Sequence, residues 1–264
     1  MDEDSHSHDR PSPSRAVLYL RKLMRAALAL GRVTVTLALL GGMVWGGYLA
    51  LYHPDTPLRD EWNPVKPLRI ADPVTPVTTW KLSRALSDPA LCQSVLDASS
   101  VSASAMSDLQ RSEVCHIRGR VRLASVGAAK MKPLETRCPI ALRLAMWERH
   151  ALQPAAKAHL GTDLTGIRHY SSYNCRAIRT PSGKTSRMST HASADAIDIS
   201  GFDFANGKRL SLKADWNGAA PDAAFLRAAQ QGACLWFNTV LGPEYNALHA
   251  DHFHMQNTGW NSCR

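Results

Sequence analysis

Ser189-Thr190-His191-Ala192-Ser193-Ala194-Asp195-Ala196-Ile197-Asp198 and, near the C-terminus, His252-Phe253-His254 are the stretches on which the reading of this chain turns. They supply imidazoles and a carboxylate, ligand types that zinc takes readily. A catalytic zinc site needs three protein ligands and an open position for water. His191, Asp198 and a distant His-x-His meet that requirement. Alternate side chains of a strand share a face. His252 and His254 therefore point one way and Phe253 the other. By the same alternation Asp198 shares a face with Ala196 and Ser200, and Ile197 and Ile199 take the opposite one. An isolated His-x-His reads as polar groups on a solvated sheet face; set within His249-Ala250-Asp251-His252-Phe253-His254 and accompanied by a separate His/Asp motif, it points to a metal.

Around these motifs the periodicity predicts an α+β arrangement, a small antiparallel sheet with flanking helices. Leu82, Leu86, Leu91 and Val95 mark a helix within Thr79–Leu96. Cys115–Leu123 alternates as a strand, and residues 79–131 read as an N-terminal cap on a main domain at 132–264. In that domain Cys138-Pro139 opens a helix to about His150, since proline suits the first helical turn. Strands are expected at Thr165–Tyr173, Ala196–Ser200, Lys208–Ala214 and Ala247–Gln256, and a helix at Ala219–Leu241. Trp147, Trp216 and Trp236 read as core. His150, His159 and His169 read as surface or capped histidines. Asp195 and Asp251 either orient imidazoles or face solvent.

Val33–Tyr52 holds 20 residues without a charge, enough to cross a bilayer as a helix. Trp45, Tyr48 and Tyr52 cluster at its end, where amphipathic rings favour the interface, and Gly41, Gly42, Gly46 and Gly47 are common in membrane helices. Arg10, Arg15, Arg21, Lys22, Arg25 and Arg32 precede the span; Arg59, Lys66 and Arg69 follow it. The positive-inside rule then makes residues 1–32 a cytoplasmic basic tail and places the remainder outside. A cleaved signal peptide fits less well, because the apolar run is long and Tyr48 spoils the small-residue site at Ala50. Residues 1–15 are polar and read as disordered, with a His6-x-His8 that lacks a carboxylate framework. Six prolines within residues 53–78 predict an extended linker.

All six cysteines follow the apolar span, which predicts disulfides in an oxidising compartment without saying which pair. The net charge of +9 suits an anionic polymer such as a cell wall. No nucleic-acid recognition motif is present.

Ser172-Tyr173-Asn174-Cys175-Arg176, Ser189-Thr190-His191-Ala192, Ala196-Ile197-Asp198-Ile199-Ser200-Gly201-Phe202, Leu241-Gly242-Pro243, His249-Ala250-Asp251-His252-Phe253-His254 and Cys263-Arg264 together resemble the bacterial extensin-like C-terminal domain family. The Ser-x-His-x6-Asp and His-x-His signature is also similar to the LAS-type zinc peptidases, which include D-Ala-D-Ala carboxypeptidases, murein endopeptidases and Hedgehog relatives. The resemblance covers about Trp80 to Arg264. It implies Zn2+ held by His191, Asp198 and His254, with His252 as catalytic base or support for the activated water. His249 would contact water or substrate, and Arg176 a substrate carboxylate or carbonyl through its planar fork. Ser189 would touch substrate or simply serve its turn. The glycine usual between the first His and the Asp is Ala194 here, so that loop must accept a Cβ. In some relatives a Glu upstream of a Trp-His is the base, and this chain has none.

The expected function is a membrane-anchored, zinc-dependent peptidoglycan hydrolase in the periplasm, single-pass in the inner membrane. The alternatives are a zinc-containing wall-binding or envelope scaffold and a metal-free, disulfide-held envelope protein.

Overall fold

The computed structural model describes residues 14–180, 182–259 and 261–264. The polar tail with His6 and His8 lies outside the described residues. The chain divides into two compact units, Met1–Arg59 and Asp60–Arg264.

The first unit is built on helix α1, Arg15–Tyr52. It extends the expected span backwards by more than four turns, because Ala, Leu, Met, Arg and Lys dominate residues 15–32 and favour helix. No residue of α1 is buried against protein. The Thr34 and Thr36 hydroxyls donate to the carbonyls of Leu30 and Arg32 at 3.0 and 2.8 Å, which leaves neither polar group unpaired on an apolar helix. Among the described residues α1 is the one helix long and apolar enough to cross a membrane. It fits a membrane anchor or a signal sequence.

The proline-rich segment is not a tether along its whole length. From Asp60 onward it belongs to the folded unit. Leu68 and Ile70 enter the core, and His150 Nε2 donates to the Ile70 carbonyl at 2.9 Å. Thr75 then caps helix α2 (Pro76–Ser87) through a reciprocal box with Thr78. The single helix expected across Thr79–Leu96 is two. Pro89 cannot continue α2, and Asp88 restarts the chain as α3 (Pro89–Asp97) by accepting the Ala90 and Leu91 N–H groups.

Strands β1 (Ser102–Ala105), β2 (Leu109–Gln110), β3 (His116–Ile117), β4 (Arg120–Val126) and β5 (Ala129–Arg137) follow. Gly119, at φ +59°, splits the expected Cys115–Leu123 strand. Next come α4 (Cys138–Trp147), a π-helical turn (Glu148–Leu152) and α5 (Gln153–Leu160). Strands β6 (Leu164–His169), β7 (Ala177–Thr180) and β8 (Gly183–Met188) lead to a 3₁₀ turn at Thr190–Ser193. The remaining elements are β9 (Ala196–Phe204), β10 (Arg209–Ser211), α6 (Leu212–Asp215), α7 (Ala220–Trp236), β11 (Thr239–Leu241), a 3₁₀ turn at Ala247–His249, β12 (Phe253–Gln256) and β13 (Ser262–Cys263). Several expectations are thereby shortened. The strand expected to Tyr173 ends at His169, and the one expected over Lys208–Ala214 ends at Ser211, where Leu212 opens α6. The helix expected to Leu241 ends at Trp236, and the strand expected from Ala247 starts at Phe253.

The architecture is α+β, but the sheet is neither small nor purely antiparallel. Nine strands run in the order β1-β4-β5-β6-β9-β12-β11-β13, with β10 beside β9. The pairs β5/β6 and β11/β13 are parallel. The stretch expected as a cap supplies β1, β4 and part of β5 to this sheet, so 79–131 and 132–264 are one body. Helix α4 is buried along its whole length, and Trp147 at its end donates to the Ala229 carbonyl of α7 at 2.9 Å. Trp216 and Trp236 are buried as expected.

A β-bulge in β9 separates core from site. His169 pairs with Ile199 and Arg168 with Gly201, so Ser200 is skipped. Ile197, Ile199, Phe202 and Phe204 are all buried in the core. Ser200 and Gly201 therefore turn together to the open face, where Asp198 lies. Simple alternation across β9 fails at this point for that reason. Each buried apolar side chain on this strand contributes roughly 1.5–3 kcal/mol.

The cysteines form three disulfides, Cys92–Cys138, Cys115–Cys175 and Cys234–Cys263. Glu148, in the π-helical turn, is buried; burial raises its carboxyl above the usual range. It accepts the Ala128 N–H at 3.2 Å and Gln153 Nε2–H at 2.8 Å. Gly127, at φ +56°, makes room for it: a Cβ there would lie 2.3 Å from Glu148 Oε2. The substitution Gly127→Ala is therefore expected to destabilise the protein by at least ~2 kcal/mol, from left-handed strain plus overpacking. A urea midpoint equal to that of the wild type would refute this account of the turn.

Candidate metal centre

Asp198 and His254 are directly opposed in the antiparallel β9/β12 pair. Cross-strand neighbours on one face are the closest side chains in a sheet. His191 joins them from the 3₁₀ turn, which Ser189 caps by accepting the His191 N–H at 3.4 Å. Three ligand atoms meet there. His191 Nε2 is 3.1 Å from Asp198 Oδ1 and 3.2 Å from His254 Nδ1, and His254 Nδ1 is 3.0 Å from Asp198 Oδ1. In a tetrahedral site with bonds of ~2.0–2.1 Å, neighbouring ligand atoms stand roughly 3.3 Å apart. The triangle matches the face of such a site. Among the described residues this is the one cluster of three or more His, Cys, Asp or Glu groups close enough to share an ion.

The surrounding hydrogen bonds fix which ring nitrogens carry protons. His191 Nδ1 lies 2.8 Å from the Ser172 carbonyl and must donate to it. His254 Nε2 lies 3.1 Å from Gln256 Oε1, whose amide is oriented by Thr190 Oγ1 (2.9 Å) and by donation from its own Nε2 to the Thr258 carbonyl (2.9 Å). In the neutral rings, His191 Nε2 and His254 Nδ1 therefore present lone pairs. With Asp198 Oδ1, three acceptors face one another, an arrangement that a cation satisfies. Such outer partners orient metal-binding imidazoles and raise their basicity. Burial works against ionisation of Asp198; when His191 and His254 are protonated, their inward N–H groups and positive charge outweigh it and hold the carboxyl below the usual range.

The remaining candidates surround this triangle. His252 lies just before β12, with Nε2 3.6 Å from Asp198 Oδ1. Its Nδ1–H donates to Asp251 Oδ1 at 2.8 Å, and Asp251 Oδ2 accepts the Tyr170 hydroxyl at 2.9 Å. His249 stands with its ring centre 5.3 Å from that of His252 and 5.8 Å from that of His254, and its Nδ1–H donates to Asn246 Oδ1 at 2.8 Å. Arg176 is half-buried and close enough for its charge to act on His249. Of the two roles open to Ser189, the observed contact is the turn: the side chain is buried and its oxygen is engaged in the cap. Asp195 does not touch an imidazole. It accepts from Arg137 (2.8 Å), Asn257 (3.3 Å) and Thr258 (2.9 Å), which binds the end of β12 to the loop before β9. Arg143, from the buried helix α4, extends that network to Asn257 Oδ1 at 2.6 Å. Burial lowers its guanidinium to about 10, against the pull of Asp195, and it remains charged at neutral pH.

Ala194 is left-handed, at φ 51° and ψ 30°. An L-residue there costs ~1–2 kcal/mol. The loop accepts the Cβ, which is fully buried. Sequence reasoning assigned no role to Ser172 or Thr190, although both lie in its motifs, and passed over Tyr170 and Gln256. Gln256 was within reach, since it follows His254 by two positions on the same strand face.

The cavities do not all coincide with this chemistry. The larger, about 820 Å³, is lined by Arg69, Asp72, Glu148 and Lys157 among others and by none of the site residues. A groove of about 790 Å³ reaches Tyr170, beside His252.

The family model described as Extensin-like protein C-terminus matches residues 90–264, and the chain belongs to that family. No curated protein and no solved structure matches it.

Replacing Gln256 with Ala removes the acceptor that fixes His254. For zinc held in the triangle, affinity is then expected to fall about 10–100-fold, measured by chelator competition; unchanged affinity would discard the tautomer argument. His249 is pushed down to about 4, first by burial and then by the neighbouring imidazoles of His254 and His252. Its unfolded value is about 6.5, so between these values the unfolded chain binds more protons. Metal-free protein is thus expected to lose stability as pH falls from about 6.5 toward 4, with His150 and His169 acting in the same direction because burial lowers both. Denaturant midpoints that stay flat across this range would contradict it.

Proposed function

We infer that this chain is a zinc-dependent hydrolase that cuts amide bonds in peptidoglycan stem peptides or cross-links. In this reading α1 is an uncleaved anchor with a cytoplasmic N-terminus, the disulfide-bonded unit is periplasmic, and the fold is related to the LAS and Hedgehog-like peptidases. The observation that carries the reading is the three-acceptor triangle with a third imidazole, His252, beside it. A structural site is closed by protein ligands, whereas three ligands leave a position for water. The basic charge of the chain suits an anionic polymer.

Zinc held by His191, Asp198 and His254 would supply a Lewis acid that polarises the scissile carbonyl and acidifies water toward a pKa of about 7. The protein groups then divide the proton work. Asp251 takes the His252 Nδ1–H, so Nε2 keeps its lone pair toward the triangle and can accept the proton of attacking water. The same nitrogen can return it to the leaving amine. Tyr170 holds Asp251 in that orientation. His249 is neutral at pH 7 and offers a second acceptor to water or substrate. Arg176 brings a planar fork for a substrate carbonyl or carboxylate.

The test is digestion of defined muropeptides by zinc-loaded protein, read by mass spectrometry. Cleavage is expected, and His252→Ala should lower turnover about 10²–10⁴-fold while zinc stays bound. No change in any muropeptide, with one zinc per chain shown by elemental analysis, favours a zinc-containing scaffold instead; absence of zinc favours the disulfide-held envelope protein.

A further inference from the structure

The open face of the sheet carries a second feature beside the metal centre. Strands β5 and β6 share one bridged pair, Lys130 with Gly166, and the groove of about 790 Å³ lies along them. Ala129 and Met131 are buried in the core, so Lys130 and Lys132 project together from the opposite face, and both are exposed. The other wall offers no free carboxylate to neutralise them: its one carboxylate is shared between two guanidinium groups. Asp203 is paired with Arg168 at 3.2 Å and Arg209 at 3.0 Å. Arg168 lies flat across Gly201, where a Cβ would stand 2.6 Å from its Nη2. His169 adds no charge at neutral pH, because burial lowers its imidazole. Among the described ion pairs, none engages Lys130 or Lys132. The groove therefore presents two uncompensated ammonium groups beside the Thr165 and Ser200 side chains. It ends at Tyr170, which is 56% exposed, touches His252 edge-on at 5.8 Å and bonds Asp251.

We propose that this groove is the subsite for an extended peptide bearing free carboxylates, which Lys130 and Lys132 recognise while the chain passes Tyr170 into the metal centre. The proposal rests on the hydrolase reading for the peptide's fate, but not for its binding. A cavity of this volume is within the usual range for ligand sites. Two exposed ion pairs give modest affinity, and their worth falls as salt rises. Their value is in choosing carboxylate over amide.

The experiment uses the full chain in detergent micelles, stripped of metal so that nothing is cut. Binding of a synthetic stem peptide with free carboxylates is compared with binding of the same peptide amidated. The wild type is expected to favour the carboxylate form about five- to tenfold. The Lys130→Gln/Lys132→Gln protein should lose that preference. Lys157→Gln, which alters the other cavity, should retain it. A wild type without preference, or a double variant that keeps it, overturns the proposal. Zinc-loaded turnover of the same peptides separates the two readings. Lysine-dependent binding without cleavage keeps the groove and removes the hydrolase. Cleavage without lysine-dependent binding does the reverse.

Discussion

Three acceptors held face to face are the constraint on which the rest of this molecule depends. Left to themselves, His191 Nε2, His254 Nδ1 and Asp198 Oδ1 would repel or take up a proton. The Ser172 carbonyl and Gln256 Oε1 occupy the other ring nitrogens and prevent either imidazole from turning its N–H inward. The repulsion is then offset by a cation at the centre or by protonation. Chemistry at this site is a consequence of where those two outer hydrogen bonds lie.

The scaffold can be understood as the means of keeping that triangle in place. Ser172 clamps both sides, since its hydroxyl donates to the Ala196 carbonyl at 2.7 Å and its carbonyl receives His191. The β9 bulge lets one strand bury Ile197, Ile199, Phe202 and Phe204 and still present Asp198 to the open face. Arg143, Asn257 and Asp195 carry the rigidity of buried α4 to the loop before β9. The Cys115–Cys175 disulfide fixes the loop that contains Ser172 and Arg176 at its far end, next to the residues they serve. By the chain-entropy argument each of the three disulfides contributes about 2–4 kcal/mol, chiefly by restricting the unfolded chain.

The disulfides and the apolar helix agree about environment. Three bridges among the described residues point to an oxidising compartment, and α1 fits an anchor or a signal sequence. Belonging to the extensin-like C-terminal family adds a lineage for residues 90–264, and the site geometry supplies the chemical argument that the family's name does not.

The three residues of the triangle, the buried faces of Ile197, Ile199 and Phe253, the oxidised cysteines and the special position of Ala194 were legible in the sequence, because residue type and local spacing carry them. So were the apolar span and the α+β class. Tertiary structure alone decided the rest. The direct opposition of Asp198 and His254 depends on strand register across 56 residues of chain. The carbonyl that fixes His191 belongs to a backbone group, which every residue has and no sequence marks. The cap that became part of the sheet, the linker that folded from Asp60 and the bulge at Ser200 all arise from long-range pairing, which overrides local composition when enough apolar surface is buried. Sequence named the groups able to hold a metal; the fold decided that their lone pairs meet, because only cross-strand register and distant hydrogen bonds set side-chain direction and tautomer.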